Sequence, residues 1–222
     1  MAAETSSEVF AQQRRSMVDL QLRARGITDE RVLQAMERVP RHEFVPPALR
    51  SKAYEDHPLP IGEGQTISQP FIVAITLQAL ALQPSDRVLE VGTGSGYQTA
   101  LLAELTQHVY SIERQESLAQ SAGLLLKSLG YGNVTVSIGD GSEGIPSQAP
   151  FDAIAVSAAA PALPAALLQQ LREGGRMAIP VGQPTSQQLQ LVVVHEGQPV
   201  VRSLGGCAFV PMIGSQAYLT GW

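Results

Sequence analysis

The sequence predicts an α/β fold: a doubly wound, mostly parallel sheet with helices on both faces, antiparallel strands at its C-terminal end and a helical N-terminal extension. Three observations carry this. From residue 86 onward short β-rich runs alternate with helical stretches, the pattern of parallel strands joined by crossover helices. The first of those runs ends in Gly92-Thr93-Gly94-Ser95-Gly96, a strand-to-helix turn. Beyond residue 189 the pattern changes to two β runs around a turn, which suits an antiparallel pair.

Taken in order, the first eight residues are small and polar, so a frayed end is expected. From Val9 to Arg25, Phe10, Met17, Val18, Leu20 and Leu22 stand among basic residues and suggest one helix, punctuated by Gly26. Thr28 is placed to cap a second helix, with Asp29 and Glu30 in its first turn and Val32, Leu33 and Met36 on its apolar face. Pro40 stops it. Residues 40–70 hold six of the 15 prolines and no long periodic segment, so they read as an irregular, substrate-facing loop region. A helix from Pro70 to Leu82 follows, with proline in its first turn as the geometry prefers.

Next come the strand Arg87–Val91, the helix Tyr97–Leu105, the strand His108–Glu113 and a helix to Leu129. Strands at Asn133–Ile138 and Phe151–Ser157 precede a helix from Leu163 to Leu171, ended by Gly174-Gly175, and a strand Arg176–Pro180. Leu189–Glu196, a Gly197-Gln198-Pro199 turn and the run from Val200 complete the chain; the pattern leaves the order of these last strands open.

Composition bounds the function. With 44% apolar and 16% charged residues in 222, the chain has ample material for a core and disorder is excluded. A net charge of -5 argues against broad electrostatic binding to nucleic acid or to an anionic membrane. One cysteine, Cys207, excludes an internal disulfide and any cysteine-based zinc cluster, and it reads as a small core residue in a strand. No run approaches the ~18 apolar residues of a membrane span, and the N-terminus lacks a basic segment followed by an apolar one. A cytoplasmic, monomeric protein is expected. His42, His57, His108 and His195 show no i, i+4 pairing, so no metal site is expected, and His42 reads as a structural hydrogen-bonder.

The glycine turn is the most informative stretch. A strand feeding such a turn and then a helix sets backbone N–H groups beside a ligand at the carboxyl edge of the sheet. A plain tight turn would need glycine too, but three glycines at alternate positions with Glu90 two residues before the first favour the ligand. A dinucleotide fingerprint would need glycine where Tyr97 or Thr99 stands, and a nucleophile elbow around Ser95 would need glycines at 93 and 97. A nucleoside without phosphates fits better, and S-adenosylmethionine is such a ligand. Glu113 closes the second strand, near the ~20-residue spacing of a carboxylate that accepts from ribose hydroxyls. Asp140, in Gly139-Asp140-Gly141, is placed to accept from an adenine amino group. Alone, Glu113 could be a helix-start carboxylate and Asp140 a turn former.

The segment Gly64-Gln65-Thr66-Ile67-Ser68-Gln69-Pro70, followed by this turn, resembles protein-L-isoaspartate O-methyltransferases. Further matches are Arg25-Gly26-Ile27, Val39-Pro40-Arg41-His42-Glu43-Phe44-Val45-Pro46, Ala158-Ala159-Ala160-Pro161, Pro180-Val181-Gly182 and Phe209-Val210-Pro211, so the resemblance covers nearly the whole chain. It implies a Rossmann-like methyltransferase fold over residues 1–222, with 1–70 facing substrate and 71–222 binding cofactor. It implies methyl transfer from S-adenosyl-L-methionine, leaving S-adenosyl-L-homocysteine, to the free carboxylate of L-isoaspartyl and more weakly D-aspartyl residues in damaged proteins, which starts repair through a succinimide. It assigns Ser68 to the active site and lays Thr66, Ile67 and Ser68 over the cofactor. Glu90, Gly92, Thr93, Gly94, Gly96, Glu113, Arg114, Asp140 and Gly141 are expected around that cofactor, with no metal.

From the residues alone, Ser68 could equally belong to a helix cap, although Gln69 holds the cap position if Pro70 opens the helix. The acceptor carboxylate is already ionised at neutral pH, so no general base is needed. Three other functions keep parts of this pattern: a carboxyl methyltransferase of a biosynthetic peptide, a non-catalytic nucleoside-binding module and a nicotinamide dehydrogenase, the last disfavoured by Tyr97 and Thr99.

Overall fold

The structure is a computed structural model and describes residues 6–221. Of the expected frayed end, residues 1–5 lie outside the described residues, and the rest is helical. Helix α1 (Ser6–Ser16) runs on into a π-helical segment, Met17–Leu22, and a 3-10 turn, Arg23–Arg25, that ends at Gly26 with φ +91°. The wider π turn puts Met17, Val18 and Leu22 in the core, which accounts for their uneven spacing.

Helix α2 (Glu30–Arg38) is capped by Asp29 and not by Thr28: the Asp29 carboxylate accepts from the Arg31 and Val32 amides, while the Thr28 amide donates to Gln78. The region 40–70 holds more structure than its prolines suggest. Two 3-10 turns (Arg41–Phe44, Pro47–Lys52) lead to a hairpin of β1 (Leu59–Gly62) and β2 (Gln65–Ile67). Its two-residue turn sets Glu63 and Gly64 at φ +52° and +68°, the twist that suits a tight hairpin. Helix α3 spans Pro70–Leu80, two residues shorter than expected.

The main sheet is built from β3 (Arg87–Val91), β4 (His108–Glu113), β5 (Val134–Ile138), β6 (Phe151–Val156), β7 (Leu171–Gln183), β8 (Ser186–His195) and β9 (Gln198–Cys207). Their spatial order is β5-β4-β3-β6-β7-β8-β9. Neighbours from β5 to β7 are parallel, while β8 and β9 add antiparallel ladders. Helices α4 (Tyr97–Leu105), α5 (Glu116–Ser128) and the short α6 (Ala165–Leu168) connect the parallel strands. The helix expected over Leu163–Leu171 is only this one turn. Leu171 already pairs with Phe151, and the register slips before Arg176 reaches Ala153, with Gly174 at φ +71° in the slipped stretch. The final turn is Glu196-Gly197, both at positive φ, not Gly197-Gln198-Pro199.

Alternation along β3 divides the core. Val88 packs with the apolar residues of α2, α3, α4 and the N-terminal segment, whereas Leu89 and Val91 pack on the other face with Phe151, Leu167 and Met212. Strand order reverses beside β3, since β4 lies on one side and β6 on the other. The crevice at their carboxyl ends is where an open α/β sheet binds ligands.

Candidate active site

The site grows from the end of β3. Gly94 has φ +53° and Gly96, which starts α4, has φ +89°; both values are left-handed conformations that side chains rarely adopt. A Cβ at Gly96 would also press to 3.3 Å on Ala122 and Leu126 of α5. Glycine therefore lets the turn seat α4 against α5 and bare its backbone at the crevice. Glu113, at the end of β4 and almost fully buried, ties this turn to α5. One carboxylate oxygen accepts from the Gly94 amide at 2.9 Å and the other from the Gln115 amide at 2.9 Å.

Beneath the turn lies a buried polar network. Glu90 faces α4 and accepts from Thr99 Oγ1, from Ser111 Oγ at 2.7 Å and from Gln98 Nε2 at 3.3 Å. Ser111 has one hydroxyl proton, so the 2.6 Å contact between Thr93 Oγ1 and Ser111 Oγ makes Thr93 the donor there. Gln98 also reaches Ser157 at the end of β6, at 2.9 Å. Burial drives the Glu90 carboxyl up to about 7; the donors from Thr99, Ser111 and Gln98 pull against it, and Glu113 adds to the rise.

One cleft brings together Thr66, Ile67 and Ser68 of the hairpin end, Gly92, Thr93 and Gly94 of the turn, and Glu113, Arg114 and Gly141. Three expected ligand residues do not line it. Glu90 is wholly buried in its network, and Gly96 stands behind the turn against α5. Asp140 Oδ1 accepts from the Ser142 amide and hydroxyl and Oδ2 from the Ser215 amide, at 2.6–2.9 Å. Burial would raise the Asp140 pKa, but the Ser142 and Ser215 donors outweigh it and hold the carboxyl below its usual range. Asp140 thus caps the 3-10 turn Gly141–Glu143, which carries Gly141 into the cleft wall.

Ser68 does not cap a helix. The cap position of α3 is Gln69, which makes no side-chain cap bond, and the Ser68 hydroxyl has no hydrogen-bond partner among the described residues. Its carbonyl is held by Arg41 Nη2 at 2.8 Å. Tyr97, Gln98, Ser157 and residues 210–213 also line the cleft and were not singled out as ligand residues from sequence. For the last group the Phe209-Val210-Pro211 match was the available signal. Pro211 bridges to Ala159, which brings the C-terminal segment back over the strand ends.

The cleft suits a nucleoside without phosphates. Glu113 spends one lone pair on each oxygen and keeps acceptor capacity for hydroxyls, and Arg114 is the single basic side chain in the lining. No cluster of three or more His, Cys, Asp or Glu among the described residues could hold a metal. His42 is architectural: it stacks on Phe10 at 4.1 Å and shares a hydrogen bond with Tyr54. Cys207 is only half-buried at the end of the edge strand β9, with its thiol pushed up to about 11 by burial.

Comparison with known proteins agrees. Residues 12–217 match the family described as Protein-L-isoaspartate(D-aspartate) O-methyltransferase (PCMT). The chain is 55% identical over 218 residues to the protein-L-isoaspartate O-methyltransferase of Koribacter versatilis, covering 98% of each chain. It is 53% identical over 212 residues to that of Roseiflexus castenholzii, covering 95% of this chain and 96% of the relative. Among solved structures, a protein-L-isoaspartate O-methyltransferase superposes with a TM-score of 0.82 at 28% identity, over 91% of this chain and 67% of that one. A Plasmodium falciparum structure described as a β-aspartate methyltransferase, in complex with S-adenosyl-L-homocysteine, gives 0.80 at 28% identity, over 90% and 98%.

Proposed function

The chain belongs to the protein-L-isoaspartate(D-aspartate) O-methyltransferase family, and from that premise we propose how its own residues divide the work. It is an S-adenosyl-L-methionine-dependent enzyme that methylates the free carboxylate of L-isoaspartyl residues in damaged proteins, the first step of their repair. Residues 71–222 form the cofactor-binding part, and residues 1–70 face the substrate.

Gly92, Thr93, Gly94, Glu113, Arg114 and Gly141 hold the cofactor, with Glu113 accepting from its ribose hydroxyls and Thr66 and Ile67 lying over it. Glu90, Gly96 and Asp140 serve from behind by fixing the turns that make the contacts. When bound, S-adenosyl-L-methionine supplies an electrophilic methyl group on a sulfonium. The acceptor carboxylate is ionised at neutral pH and needs no base. The work of the chain is alignment and exclusion of water, because transfer joins an anion to a cation and removes charge. Ser68 is the residue that aims the acceptor: its hydroxyl donates to one carboxylate oxygen and leaves the other free to attack. The resulting ester closes to a succinimide whose hydrolysis restores some normal aspartate.

The observation that carries this reading is the unspent Ser68 hydroxyl in the same cleft as the glycine turn and Glu113. D-aspartyl residues are weaker acceptors, and the enzyme acts as a cytoplasmic monomer without nucleic acid. Among the described residues no helix is long and apolar enough to cross a membrane. The test is product analysis. An isoaspartyl peptide incubated with enzyme and S-adenosyl-L-methionine should yield its methyl ester and then the succinimide with released methanol, and a peptide recovered unmethylated would overturn the assignment.

A further inference from the structure

Arg41, in the turn Arg41–Phe44, is completely buried at 0% exposure. Its Nε donates to the Ala53 carbonyl at 2.7 Å and its Nη2 to the Ser68 carbonyl at 2.8 Å. The guanidinium carbon lies 4.8 Å from the centre of the Tyr97 ring, and Tyr97 is part of the cleft wall. Arg41 makes no ion pair among the described residues. Asp56, whose field reaches it, is itself paired with Arg25. Arg41 Nη1 and the Tyr97 hydroxyl are buried without a hydrogen bond of ordinary geometry. Burial lowers the Arg41 pKa from its ordinary value, yet an arginine side chain stays charged throughout the working range of a protein.

Burying a charge without a counter-charge is costly. Two carbonyls can be tied together by a neutral donor at less cost, so the tether alone does not account for a guanidinium. What a charge adds is a field, weakly screened because the group is buried. That field faces the cleft across one aromatic ring, beside the serine that aims the acceptor. We infer that Arg41 is a positioning residue for the acceptor: its charge, without an ion-pair partner, draws the substrate carboxylate onto Ser68. The inference rests on the cleft being the isoaspartyl carboxylate site proposed above.

The sign of the effect on catalysis follows. Methyl transfer abolishes the negative charge of the acceptor, so the attraction acts on the bound carboxylate and fades toward the ester. Arg41 therefore strengthens acceptor binding and lets the neutral product go, without lowering the barrier from the bound state. The effect belongs in KM, and loss of the charge does not lower kcat.

The experiment measures binding of two peptides to the enzyme saturated with S-adenosyl-L-homocysteine, where no chemistry occurs. One peptide carries the isoaspartyl carboxylate and its twin carries a carboxamide there. Wild-type enzyme should prefer the carboxylate by roughly 10- to 100-fold, the scale of one charge at several ångströms in an effective dielectric of about 20. Arg41→Met should reduce that preference to less than about threefold and raise the KM for the isoaspartyl peptide by a similar 10- to 100-fold, with kcat no lower than about a third of the wild-type value. Arg41→Lys keeps the charge and should retain a clear preference. Survival of the carboxylate preference in folded Arg41→Met would overturn the inference. So would a wild-type preference below about threefold, a result that needs no variant to fold. Failure of wild-type enzyme to methylate the isoaspartyl peptide would instead refute the function itself.

Discussion

Replacing Glu113 probes the cofactor site most sharply, because the structure fixes what the residue already does. A carboxylate offers about four lone-pair sites. The Gly94 and Gln115 amides, each at 2.9 Å, use one on either oxygen, which leaves capacity for the ribose hydroxyls. Glu113→Ala deletes the proposed ribose acceptor and frees the glycine turn at once. A hydrogen bond to a charged group is worth about 1.5–3 kcal/mol, so affinity for S-adenosyl-L-homocysteine should fall by roughly 10- to 150-fold. Glu113→Gln should recover little, since its amide keeps one acceptor oxygen and turns an NH2 group toward the Gly94 or the Gln115 amide. The free protein should also melt a few degrees lower, as two part-buried backbone amides lose their acceptor, at about 2–4 °C per kcal/mol for a chain of this size. Isothermal titration calorimetry on protein shown to be folded separates the two effects. Unchanged affinity in folded Glu113→Ala would refute the assignment of Glu113 to the cofactor.

Two further substitutions test the parts beside it. Ser68→Ala should lower methyl transfer by about 10- to 1,000-fold, the scale of one oriented donor, with S-adenosyl-L-homocysteine affinity nearly constant and the loss flat above pH ~5 because no base titrates. A Ser68→Ala enzyme with full turnover in a steady-state assay would make this serine architecture. Glu90 titrates near 7 in the folded protein against 4.5 as an ordinary carboxyl, so folding retains a proton across that window and stability falls as pH rises through it. The total loss is about 3 kcal/mol at 1.36 kcal/mol per pKa unit. Glu90→Gln should remove that slope, so denaturant unfolding from pH 4 to pH 8 should show the variant gaining on wild type as pH rises, and parallel curves would sink the account of Glu90.

The parallel half of the fold was legible because each element announces itself locally. Arg87–Val91, Tyr97–Leu105 and His108–Glu113 occur where the pattern puts them, since an apolar strand, a glycine turn and a buried helix differ sharply in sequence. The hairpin of β1 and β2 was hidden by Pro58 and Pro60, although Gly62-Glu63-Gly64 between two short β-compatible runs was a usable turn signal. The Ala- and Leu-rich run after Pro164 looked helical, yet pairing of Leu171 with Phe151 claims its end for the sheet, a contact twenty residues distant that local propensity cannot register.

In the site, the glycine turn, Glu113 and the Thr66–Ser68 segment line one cleft, and sequence could point to them because strand ends beside a glycine turn form the crevice of an α/β sheet. Glu90 and Asp140 were given ligand roles because sequence shows which strand end a carboxylate occupies but not which way it faces. In the structure Glu90 is met by Thr99 and Ser111 of other elements, and Asp140 by Ser142 of the turn it caps and by the distant Ser215. Arg41 lies in the matched segment Val39–Pro46, but its contact with Ser68 could not be read there, since the carbonyl it holds is 27 residues further on.

The central claim is that this cleft is shaped for an isoaspartyl carboxylate, and specificity tests it most directly. An isoaspartyl peptide carries its free carboxylate one methylene nearer the main chain than its aspartyl twin. A displacement of ~1 Å can cost about a hundredfold in rate. With the twins assayed side by side for methyl transfer, kcat/KM should favour the isoaspartyl peptide by at least about a hundredfold. Comparable methylation of both would contradict the account.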